Sequence, residues 1–170
     1  MPVLGRCWSP FTLYSWSSVK LGSYYAAIYT AIIHVLFITY AIYVMGGGDS
    51  DEFYSPYFEL DYKGTMIAGW FTIIFSAIFM STIILLVYGI KKENRCMFFP
   101  WMVGITIEIL LVLAFSLWVL ATYYRNPYSI LAACIIWCLD GIHVYCLLCV
   151  ISQYQILQDL QIPHFDILYP

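Results

Sequence analysis

No lysine or arginine interrupts four long apolar stretches of this 170-residue chain, in which only 10% of residues are charged. The stretches run from about 21 to 46, 65 to 90, 97 to 121 and 129 to 153. A helix at a water-facing surface would carry a charged stripe, and none of these does. At roughly 25 residues, each would measure about 38 Å as helix, against ~30 Å of bilayer hydrocarbon. Proline is nearly absent from them as well. Pro100 is the exception, in the opening turn of the third, where its missing N–H costs nothing.

Little is left outside the stretches. Roughly 70 residues are shared among tails and loops, and no piece is large enough to bury a core of its own. That excludes a soluble catalytic domain. The chain reads as non-enzymatic, with no cofactor, no metal and no nucleic-acid partner.

Cysteine is missing from the loops between stretches one and two and between three and four. Cys7 in the N-terminal segment and Cys96 just before the third stretch are read as lying near the cytoplasmic membrane surface, and Cys134, Cys138, Cys146 and Cys149 lie in the fourth. A disulfide-stapled outer loop, as in claudins and tetraspanins, is therefore excluded. Those two loops also lack Asn-x-Ser/Thr, since Asn126 precedes Pro127. His143 lies near the Cys pairs, but a mid-membrane cysteine is usually a small apolar residue rather than a ligand. Cys7, Cys96 and Cys149 are placed for S-palmitoylation, with an inert free thiol as the alternative.

What is present is apolar bulk, at 63% hydrophobic residues and a mean hydropathy of +0.83. Bare backbone finds no water inside a bilayer, so each span must be helical. The fold class is all-α, an integral membrane four-helix bundle. Its domain covers 21–154, between an N-terminal segment 1–20 and a tail 155–170. Arg6, Lys20, Lys91, Lys92 and Arg95 fall on one side and Lys63 and Arg125 on the other. Five against two puts both termini in the cytoplasm and loop 47–64 outside. The first stretch is too long for a cleaved signal and is read as retained. The loop opens acidic and Gly-rich, then turns aromatic with Phe53, Tyr54, Tyr57 and Phe58, a candidate surface for partner recognition.

Four ionisable residues fall near the middle of the spans: His34, Glu108, Asp140 and His143. A charged group there costs about 2.5–3.5 kcal/mol on insertion scales, so the four should face the interior and pair. Asp140 and His143 share a face at i and i+3. Thr30, Thr39, Thr106 and Ser116 could supply hydroxyls. Two readings stand: a clasp that fixes helix register, or a path for protons or ions. Ser23, Ala27 and Ala31 form a small-residue ladder suited to close helix approach, within the bundle or between copies. Tyr154-Gln155-Ile156-Leu157 fits a Tyr-x-x-apolar sorting pattern but abuts the membrane and reads better as the last turns of helix four.

Taken together, Arg6-Cys7-Trp8, the acidic-aromatic loop, the basic turn before Phe98-Phe99-Pro100-Trp101, Glu108, and Val144-Tyr145-Cys146 through Leu157 carry a resemblance. The chain resembles the insect tetraspan family that contains the pasiflora proteins, distant relatives of the lysosome-associated four-span proteins. That resemblance implies a plasma-membrane component of septate junctions; the partners expected are membrane lipid and other integral membrane proteins, with a homo-oligomer as the alternative. The tail lacks the Pro-Pro-x-Tyr or Leu-Pro-x-Tyr motif of the lysosomal relatives, which weighs against an endosomal or lysosomal site. The alternative function is an auxiliary channel or transporter subunit, or a small proton-coupled transporter, using Glu108, Asp140 and His143.

Overall fold

Ser18 opens the first helix by accepting a hydrogen bond from the Leu21 amide at 3.4 Å, which satisfies one of the unpaired donors of the first turn. The computed structural model describes Val3, Leu4, Cys7, 18–46, 62–122, Arg125 and 127–161. It contains α1 (Val19–Met45), α2 (Tyr62–Lys92), a 3-10 turn (Arg95–Phe98), α3 (Phe99–Thr122) and α4 (Pro127–Gln161). All four α-helices are long and apolar enough to cross a membrane. The aromatic loop residues Phe53, Tyr54, Tyr57 and Phe58 lie outside the described residues.

α2 ends in a Schellman turn. Glu93 takes the left-handed conformation at φ 55°, and the Asn94 amide donates back to the Gly89 carbonyl at 3.0 Å. The Asn94 side chain then accepts from the Cys96 amide at 3.1 Å and starts the 3-10 turn that leads into α3. The same end of the bundle is tied from both sides. Lys20 of α1 reaches Glu93 at 3.0 Å, and Gln161 of α4 donates to the Glu93 carbonyl at 2.8 Å. The Lys20 pair is exposed and contributes little.

The helices form a ring in the order α1, α2, α3, α4, with α1 closing against α4. The short turn leads one to expect a tight α2–α3 hairpin. Instead α2 packs more extensively on α1, to which its link is longest. The reason is bulk in the α2–α3 seam, where Phe79, Phe98 and Trp101 are all buried. α1 offers α2 and the core small residues instead, with Ala26 and Ala27 buried in the main cluster and Ala31 packed against it. Ser23 and Ala27 of the small-residue ladder are thus used up inside the bundle.

The bundle has the polarity of a lipid-solvated protein. Ser23, Thr30, Ser76, Ser116, Ser129 and Ser152 are buried, while Ile32, Ile67, Ile84, Leu110 and Leu131 point outward. α4 runs past residue 153 to Gln161, and Leu157 is buried in the main cluster. Tyr154-Gln155-Ile156-Leu157 is therefore packed helix, not the extended peptide that a sorting adaptor would read.

Candidate functional site

His34, Glu108, Asp140 and His143 are all buried, and they come from α1, α3 and α4. Glu108 sits between two imidazoles. Its Oε2 lies 3.6 Å from His34 Nε2, and its Oε1 lies 4.0 Å from His143 Nε2. Those separations are electrostatic contacts rather than hydrogen bonds. Asp140, one turn before His143, lies within electrostatic reach of both His143 and Glu108.

The fourth helix joins through a residue that sequence reasoning missed. Ser76 Oγ of α2 lies 3.2 Å from His34 Nδ1 and is fully buried. Depth was the available signal. Ser76 lies about 22 Å from Lys91 along α2, the same rise that separates His34 from Val19. All four helices thus meet in one polar layer. Rings hold it in place: Phe79 packs on His34 at a centroid distance of 4.2 Å, and Tyr29 on His143 at 5.5 Å.

None of the four nominated hydroxyls has a hydrogen bond to the carboxylates. Thr30, Thr39 and Thr106 bond to carbonyls of their own helices. Ser116 donates to Leu113 and accepts from Trp137 Nε1 at 2.9 Å, a separate α3–α4 link. Within the layer, His34 Nε2, both Glu108 oxygens, Asp140 Oδ1 and both His143 nitrogens have no hydrogen-bond partner among the described residues. Buried polar atoms in such an arrangement are the groups most sensitive to a lost neighbour.

The three nominated acylation sites separate. Cys96 is exposed at the 3-10 turn, whereas Cys7 and Cys149 are buried against each other, their sulfurs 2.9 Å apart. Burial pushes the Cys7 thiol up to about 12, with the Cys149 sulfur acting in the same direction. An acyl chain on either buried sulfur would first require the pair to separate. No group of three or more His, Cys, Asp or Glu residues is arranged to hold a metal ion among the described residues.

One cavity borders the layer without including it. It occupies about 620 Å³ between α1 and α4, lined by Gly22, Ala26, Tyr29, Cys138, Gly141 and Tyr145 among others. A side chain at Gly141 would meet nothing within 4 Å, so the α4 wall is open there.

A family described as Domain of unknown function (DUF4728) matches residues 71–158, more than half of the chain. The chain belongs to this family. The matched DUF4728 segment carries Ser76, Glu108, Asp140 and His143, while His34 and the N-terminal segment lie outside it. No curated protein and no solved structure matches the chain.

Proposed function

We propose that this DUF4728 protein is a non-enzymatic four-span membrane protein that serves as a structural and assembly component of a membrane complex. The α1–α4 groove carries the reading. It is apolar, floored by small residues and placed on helices whose outer faces are apolar, as suits the transmembrane helix of a partner. The ionisable side chains, by contrast, are turned on one another inside the bundle. The resemblance to the septate-junction tetraspans supports an occluding junction at the plasma membrane as its setting.

Gly141→Phe tests this directly. The new ring enters open space, so the fold and surface delivery should persist while co-purification of membrane partners in mild detergent is lost. Unchanged partner recovery from a normally folded variant would remove the groove from the proposal.

The reading also puts both termini in the cytoplasm, from the basic residues at the end of the bundle where Lys20, Lys91, Lys92 and Arg95 gather. Antibody should reach an epitope placed in loop 47–61 on intact cells and reach terminal tags only after permeabilisation. The opposite labelling would invert the orientation.

The layer itself supports a second reading, a proton-coupled role. Two carboxyls and two imidazoles at mid-span are groups that bind and release protons, and six of their atoms lack a hydrogen-bond partner among the described residues.

A further inference from the structure

The N-terminal segment returns to the bundle at three points. The Val3 amide donates to Gln155 Oε1 and the Leu4 amide to Ser152 Oγ, each at 2.9 Å. Cys7 then seats its thiol beside Cys149, and Val19, Leu4, Tyr145 and Ile156 enclose the two sulfurs in a small cluster of their own. Gly22 makes the approach possible, because a Cβ there would fall 2.7 Å from Cys7 Cβ.

A sulfur separation of 2.9 Å compares with about 2.05 Å for a disulfide bond, so little movement divides the thiol pair from the bonded state. The pair is also selective by position. Cys96, Cys134 and Cys138 are exposed, whereas Cys7 and Cys149 are closed off together.

We propose that Cys7 and Cys149 form a disulfide under a peroxide oxidant, locking the N-terminal segment onto α4. One sulfur, as thiolate, attacks a peroxide oxygen. The O–O bond breaks, a sulfenic acid forms, and the released oxygen leaves as water after taking a proton. The second sulfur then attacks the sulfenic sulfur, its proton leaves with the departing oxygen as a second water, and the S–S bond closes. Two thiols and one hydrogen peroxide give one disulfide and two waters, the sulfurs losing the two electrons that the peroxide gains. Burial that keeps Cys7 as a thiol makes the step slow, and breathing of the three-point contact admits the oxidant.

The consequence is a change in the N-terminal segment from a hydrogen-bonded strap to a covalent one. It would cross-link two parts of the chain 142 positions apart, a large restraint on the unfolded state.

The test uses the full chain in lipid nanodiscs, treated with hydrogen peroxide, quenched, unfolded in detergent and alkylated before non-reducing proteolysis. A peptide linked through Cys7 and Cys149 is expected, with alkylation lost at those two residues together and its melting temperature raised. Cys7→Ser, which leaves α4 intact, should melt at the same temperature with or without peroxide, and Gly22→Ala should slow the linkage by crowding Cys7. Recovery of both cysteines alkylated, or linkage of Cys7 to Cys146 in place of Cys149, would overturn the proposal.

Discussion

Replacing Glu108 with leucine is expected to destabilise the bundle by about 1–3 kcal/mol, the range seen when a buried polar group loses its polar neighbour. The carboxylate is 3% exposed and faces imidazoles from two other helices, so one change strands both His34 and His143. Thermal unfolding in detergent should show the loss. Adding His34→Leu should recover part of it, because an apolar pair in a buried site costs less than an imidazole that has lost its carboxylate neighbour. A stable Glu108→Leu protein would mean that the layer contributes nothing to holding the helices together. Glu108→Gln separates the two functional readings. A scaffold keeps its fold and its partners with glutamine in place, whereas proton-coupled transport in liposomes would stop in a protein that still folds.

The second large effect is expected from Gly104→Val. A Cβ at Gly104 already falls 2.9 Å from the Phe79 ring, and valine adds two methyls beyond it. Phe79 has nowhere to go, being 2% exposed and packed at a tilt against His34 on one side with Trp101 on another. Overpacking of this kind costs about 1–3 kcal/mol, and here the displaced ring would also press on the polar layer. Phe79→Leu combined with Gly104→Val should restore much of the loss. If the double variant is no better than the single, the clash lies elsewhere along the α2–α3 seam.

Much of the architecture could be read from hydropathy alone, because a bilayer imposes helical spans wherever the chain is apolar for long enough. The α2–α3 contact is the instructive departure. Loop length says which helices are joined, but side-chain bulk decides how closely they pack, and Phe79, Phe98 and Trp101 outweigh the short turn. The polar layer followed from counting depth along each span. Its hydroxyl did not, because Thr30, Thr39 and Thr106 satisfy themselves on their own backbones, a choice that sequence does not reveal. Ser76 was passed over because the middle of α2 holds no ionisable residue to single it out from Thr72, Ser81 and Thr82. The pairing of Cys7 with Cys149 was equally hidden, since it depends on the N-terminal segment turning back onto α4.

The ring order also sets an order of assembly during synthesis. α1 emerges first and brings His34, which can meet Ser76 as soon as α2 follows. Glu108 enters with α3 and finds His34 across the bundle, but its second imidazole arrives only with the last helix. Until α4 is in place, the carboxylate has one neighbour instead of two, and the flank that α4 will cover stays open to lipid. The three-helix intermediate is therefore the species with most need of a membrane chaperone. A chain truncated before residue 127 should be recognised by quality control, and co-expression of α4 as a separate segment should end that recognition.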